Sequence, residues 1–232
     1  MARKKRIWYP GAIYHVMSRG NRRTEIFKDH SDHVSFLHIM KMISEKHPFK
    51  IHSICLMTNH FHLLMETADT ELWRIMQKIL SIHAEEFNYR HGYNGHVFEG
   101  RYTSSIIEDD RYFLEVSRYI HLNPVKALMV SEPIAYEYSS YGLFMTEKQE
   151  LEDCGKLEDR GNREAREDRK DHEKKEVEKL LSEMVDTSRI LSYFSMSPRE
   201  QYRMFVEGQG SHAEQELLIR KDMKEDEMWL PQ

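Results

Sequence analysis

The chain has 232 residues, 31% of them charged and 40% hydrophobic, with a net charge of -5. That is enough for one domain with its own core plus an appendage. No apolar run approaches the roughly 20 residues that span a bilayer. The basic start Met1-Ala2-Arg3-Lys4-Lys5-Arg6 runs into Pro10, Gly11 and His15 instead of a long apolar stretch, so neither a membrane span nor a secretory signal is expected.

In chain order, Ala12 to Ser18 alternates as a strand does, and Gly20-Asn21 marks a turn. Ser31 to Lys46 reads as a helix, with Val34, Leu37, Ile39, Met40 and Ile43 spaced mainly by three and four and with Asp29 or Ser31 as N-cap. Lys50 to Met57 and His60 to Thr67 read as the two strands of a hairpin joined at Thr58-Asn59. A helix capped by Asp69 or Thr70 then runs to about Arg90 on the stripe Leu72, Ile75, Met76, Ile79, Leu80, His83 and Phe87, and Gly92 and Gly95 end it. Tyr102 to Glu108 is the next strand. Asp109 or Asp110 caps a short helix through about Leu122, which Pro124 stops. The first six elements follow a βαββαβ order, which predicts an α+β fold with an antiparallel sheet and helices on one face.

Compact sequence ends near residue 145. Residues 146–180 form a charged linker or solvated helix, and residues 181–232 a small helical tail in which Pro198 opens a helix. Net charge divides along the same line. Residues 1–130 hold 18 Lys and Arg against 14 Asp and Glu, and the rest of the chain holds 16 against 25. Two basic clusters, Arg3-Lys4-Lys5-Arg6 and Arg19-Gly20-Asn21-Arg22-Arg23, suit phosphate contacts or a solvated surface equally. The two cysteines are Cys55, in an apolar strand, and Cys154, in a charged segment. They argue against a disulfide framework and for the cytoplasm.

Two stretches can carry chemistry. In His60-Phe61-His62 alternation along the strand turns both imidazoles to one surface, where they could share a divalent ion or simply stand half exposed. In Tyr119-Ile120-His121-Leu122-Asn123-Pro124-Val125-Lys126, Tyr119 and Asn123 are four apart and share a helix face. His121 points away from that face. Tyr112 lies two turns earlier and has Val116, not an amide, four residues on.

Together these stretches resemble the single-tyrosine HUH transposases, and within them the REP-associated tyrosine transposases and their insertion-sequence relatives. Ser18-Arg19-Gly20-Asn21-Arg22-Arg23 and Phe98-Glu99-Gly100-Arg101-Tyr102 add to a resemblance that spans about residues 8–145. It implies a ferredoxin-like HUH fold and a metal-dependent transposase that cleaves and rejoins hairpin-containing single-stranded DNA. Tyr119 would be the nucleophile of a covalent 5′-phosphotyrosine intermediate. His60, His62 and Asn123 would hold Mg²⁺ or Mn²⁺. Arg19, Arg22, Arg23, Arg101 and Tyr102 would contact DNA, with Trp73 and Tyr14 as further stacking candidates, although Trp73 suits helix packing better. Relatives act as homodimers or alone. The resemblance also admits a domesticated hairpin-binding protein without transposition activity, and a nickase of replication or plasmid mobilisation, for whose usual helicase domain this chain is too short.

Overall fold

The computed structural model describes residues 7–146, 167–195 and 197–208. The basic cluster at residues 3–6, Cys154 and most of the charged run lie outside them. The first six elements are β1 (Ile13–Arg19), α1 (His30–Lys46), β2 (Phe49–Leu56), β3 (His60–Thr67), α2 (Leu72–His91) and β4 (Thr103–Ile106). The four strands form one antiparallel sheet, as the βαββαβ pattern predicts, in the order β2-β3-β1-β4, the ferredoxin-like arrangement that the resemblance implies. After it come α3 (Asp110–Lys126), α4 (Tyr141–Met145), α5 (Glu167–Met184), α6 (Ser188–Leu191) and α7 (Pro198–Glu207). No described helix is long and apolar enough to cross a membrane.

Strand alternation divides the interior into two halves. Tyr14, Val16, Phe61, Leu63 and Met65 face α1 and α2, where they bury with Phe36, Leu37, Ile75 and Ile79. Ile13, Cys55 and Leu64 face α3, where they bury with Phe113, Val116 and Ile120. A β-bulge at His52 keeps this division intact along β2, because the extra residue returns both Ile51 and Ile54 to the α1–α2 face. At about 1.5–3 kcal/mol for each large apolar side chain buried, both faces contribute to stability.

Local chemistry places most helix ends where sequence expects them. The Asp29 carboxylate accepts from the Asp32 N–H at the start of α1, and the Asp109 carboxylate accepts from the Tyr112 N–H at the start of α3. Gly92 ends α2 in the left-handed region at φ 64°, with its N–H on the Asn88 carbonyl. Two expectations differ. Glu71, not Asp69 or Thr70, occupies the N-cap of α2, and its carboxylate takes the Trp73 and Arg74 side chains instead of a helix N–H. Pro124 does not stop α3, which continues to Lys126. A proline within the last turn removes a single helical N–H, and beyond it the Ala127 and Met129 N–H groups still find the carbonyls of Asn123 and Pro124.

The division of the chain at residues 145 and 180 remains a proposal about folding units. The packing itself is plain: Val177, Leu180 and Leu181 of α5 bury on the α1–α2 face, and Ile190, Tyr202 and Val206 bury on the α3 face. The backbone after α5 also covers the open edge of β2, where the Asp186 N–H donates to the Ile51 carbonyl at 2.8 Å.

Candidate active site

The β2–β3 hairpin turn is held by the loop after β1. The Gly20 N–H donates to the Asn59 carbonyl at 2.8 Å, and the Asn59 amide nitrogen donates to the Arg23 carbonyl at 3.3 Å. Gly20 has to be glycine, since a Cβ there would sit 2.0 Å from the Thr24 carbonyl oxygen. The loop also places Arg22 and Arg23 in the left-handed region at φ 53° and 60°. The stretch from Ser18 to Arg23 is therefore a brace for the turn that presents His60.

With its nitrogen committed to Arg23, Asn59 turns its Oδ1 to His60 Nδ1, 2.6 Å away. An amide oxygen only accepts, so His60 carries its proton on Nδ1 and its lone pair on Nε2. The His62 ring lies 5.0 Å from that of His60 and perpendicular to it. His62 Nδ1 is 3.0 Å from Nε2 of His15 on β1, and the His15 and His62 rings stack at 5.2 Å. Burial pushes His15 and His60 down to about 4, with Arg19 adding to the effect at His60, and burial followed by the neighbouring His60 and His15 pushes His62 well below its ordinary value. All three imidazoles are neutral at physiological pH, the form in which a histidine ligates metal.

Helix α3 crosses this face of the sheet and brings Tyr119 to the histidines. The Tyr119 ring meets His62 edge-on at 5.4 Å and His15 at 5.8 Å, all within one chain. Lys126 Nζ lies 5.0 Å from the centre of the Tyr119 ring. Because α3 runs on through Pro124, Asn123 stays in helical register one turn after Tyr119. Its Nδ2 donates to the Tyr119 carbonyl at 3.1 Å, which leaves the carboxamide oxygen as the atom able to bind a cation.

Among the described residues no group of three or more His, Cys, Asp or Glu side chains is placed to hold a metal ion. A cation at this site would depend on two imidazoles and one amide oxygen, with its remaining positions filled by phosphate or water. That donor set suits Mg²⁺ or Mn²⁺ and is poor for structural zinc. The Nδ1 bond of His60, with Nε2 left to ligate, is the kind of support that metal-binding histidines ordinarily have.

The other expected residues are scattered in role. Arg19 is paired with Glu99, its Nε donating to Glu99 Oε2 at 3.0 Å. Arg22, Arg23 and Arg101 are exposed. Tyr102 is 5% exposed and belongs to the α1–α2 core, and Tyr14 is 2% exposed with its hydroxyl donating to the Ile7 carbonyl, so neither ring is presented to a base. Trp73 is 46% exposed and does not pack inside its helix face. His121 is fully buried and bonded to Tyr202 and Ser140, well separated in role from the histidine pair, and Tyr112 is a core residue. Sequence reasoning missed His15. Its signal was the alternation of β1, which puts residue 15 on the face opposite Tyr14 and Val16, but reading it required the strand pairing.

Comparison with known proteins bears on the same stretch. Residues 9–123, just under half of the chain, match the family described as IS200-like transposase. A solved REP-associated tyrosine transposase bound to a REP hairpin shares the fold. It has a TM-score of 0.52 and 18% identity, covering 62% of this chain and 84% of that one. A Deinococcus radiodurans R1 protein described as a candidate transposase aligns at a TM-score of 0.36 and 14% identity, over 51% of this chain and 95% of its own. No curated protein matches the sequence. The family match runs through both histidines and on along the tyrosine helix to Asn123, and over this stretch the chain belongs to the IS200-like transposase family.

Proposed function

We propose that this protein cleaves and rejoins single-stranded DNA carrying hairpin elements, with Tyr119 as nucleophile. The observation that carries this reading is the edge-on contact of the Tyr119 ring with His62 at 5.4 Å in the same chain. A nucleophile beside a cation-binding pair is what phosphoryl transesterification requires, because one group attacks phosphorus while the charge on the phosphate is neutralised next to it.

In the proposed step the Tyr119 oxygen forms a bond to phosphorus as the bond from phosphorus to the 3′ oxygen breaks. The phenol gives up its proton and the departing 3′ oxygen gains one. The products are a 5′-phosphotyrosine and a free 3′-hydroxyl, and attack by another 3′-hydroxyl on the linkage reverses the chemistry and joins a new end. The number of phosphoester bonds is unchanged, so rejoining needs no external energy source.

His60, His62 and the Asn123 oxygen would hold Mg²⁺ or Mn²⁺, which when bound supplies charge neutralisation and orientation of the phosphate. Asn59 keeps the His60 lone pair on Nε2. Arg22, Arg23 and Arg101 are proposed for DNA contacts, whereas the guanidinium of Arg19 is paired with Glu99. The tyrosine and the histidines of the proposed site come from one chain.

The test is a covalent adduct assay on labelled single strands that carry a palindromic hairpin, with Mg²⁺ or Mn²⁺ present. The wild type is expected to form an adduct that survives denaturation. Tyr119→Phe should lower adduct formation by at least about a thousandfold while hairpin binding persists. An adduct that survives this substitution overturns the assignment. Hairpin binding by a wild type that forms no adduct would favour the domesticated binder.

A further inference from the structure

We infer that His15 is a positioning residue which keeps the proton of His62 on Nδ1 and so leaves the His62 Nε2 lone pair to bind a divalent cation. The inference rests on the proposed metal role of His62 and concerns a residue outside the two sequence stretches that suggested it.

His15 and His62 are 4% and 2% exposed, in adjacent antiparallel strands, and are diagonal neighbours on one face. Their facing atoms, His15 Nε2 and His62 Nδ1, are 3.0 Å apart. One proton lies between two neutral imidazoles, and it can belong to either. If His15 donates, neutral His62 carries its own proton on Nε2 and cannot ligate through that atom. If His62 donates, its Nε2 is a lone pair. A site ready for a cation requires the second arrangement, with His15 as acceptor, before the cation arrives. His60 meets the same requirement through Asn59 Oδ1. Each expected ligand histidine thus has its Nδ1 bonded to a buried or half-buried neighbour, one amide and one imidazole.

His15 is not placed as a third ligand, since no three histidines among the described residues form a cation cluster. Its ring also meets Tyr119 edge-on at 5.8 Å, so it touches both the ligand and the nucleophile from the strand beneath them. Volume alone would be served by any aromatic residue at position 15. The acceptor nitrogen is what distinguishes histidine there.

The test uses the full chain without metal. Nitrogen NMR of isotope-labelled histidine reads the tautomer of each ring, and Mn²⁺ titration followed by electron paramagnetic resonance reads affinity. In the wild type His62 is expected as the Nδ1–H tautomer. His15→Phe retains bulk but offers no acceptor, and should weaken Mn²⁺ binding by about 10- to 100-fold. His15→Gln retains an acceptor oxygen and should restore most of that loss, whereas a role in packing alone would rank the two variants the other way. Nε2–H on wild-type His62, or unchanged Mn²⁺ affinity in His15→Phe, overturns the inference. Should His15→Phe fail to fold, the wild-type tautomer and the His15→Gln affinity still decide it. A wild type that binds no Mn²⁺ overturns the metal reading together with this one. That failure is told apart from a wrong tautomer because the tautomer is read before metal is added.

Discussion

His15 and Val16 are adjacent in β1 and live in different surroundings. Val16 points into the α1–α2 half of the core, among Phe36, Phe61, Leu63 and Ile79. His15 points toward α3, where the same strands present His62 and Ser53, and where they meet Tyr119, Ser117, His121 and Tyr202. Apolar burial is non-directional and tolerates many side chains of suitable size. Polar burial is directional, because a buried donor left without an acceptor costs about 1–3 kcal/mol. On the α3 face the demand is met by a chain of bonds: Ser53 to Ser117 and Ser117 to the Tyr202 hydroxyl at 2.6 Å each, Tyr202 to His121 Nδ1 at 2.7 Å, and His121 Nε2 to Ser140 at 2.9 Å. One face chiefly stabilises the domain. The other orients groups, and it enlists the C-terminal helices to do so.

That contrast can be broken from either side. The largest effect on stability is expected from the apolar face. Phe36→Ala leaves a cavity beside Phe27, Phe61 and His83 and should cost about 3–5 kcal/mol in denaturant unfolding. Adduct formation below the lowered melting point should persist. If activity falls while stability does not, the two faces are not separable.

Acid is the next test. His33 is 4% exposed and burial pushes it down to about 4, so its folded value lies below its unfolded one. The unfolded chain therefore takes up the proton first. Stability from this group is intact above about pH 6.5, falls as the pH drops, and is fully lost below about pH 4, a total of about 3 kcal/mol. His83 is pushed down by burial too and adds in the same direction. Unfolding free energies measured across that window should decline, and His33→Phe should flatten the decline. An unaltered slope would mean His33 is not held neutral.

A smaller loss, about 1–3 kcal/mol, is expected for Tyr202→Phe, which removes the hydroxyl between Ser117 and His121. Unchanged stability there would favour the tail as a separate folding unit, as a boundary at residue 145 implies. The smallest effect sharpens the comparison at the surface. Arg22→Gly relieves a left-handed residue at φ 53° and should raise stability by up to about 1 kcal/mol. The same change should lower hairpin affinity and reduce its salt dependence by about one phosphate contact. Unchanged affinity would remove Arg22 from the DNA surface.

The strands, their antiparallel sheet and the apolar stripes of α1 and α2 were legible in the sequence because period-2 and period-3.6 patterns are local and repeat over many residues. His60 and His62 were legible for the same reason, as alternation needs nothing beyond the strand itself. Pro124 misled because local steric preference marks a helix end, while the structure loses only one N–H in a final turn and keeps Asn123 in register with Tyr119. Tyr102 misled because aromatic character alone does not say whether a ring packs or projects. Three features were set only when distant segments met: His15 against His62, Tyr202 against His121, and the backbone after α5 along the β2 edge. A hydrogen bond between residues 47 or 81 positions apart leaves no periodic trace in the chain. Which residues share a face is thus written locally, and which polar groups become partners is decided by the strand pairing and helix docking that bring those faces together.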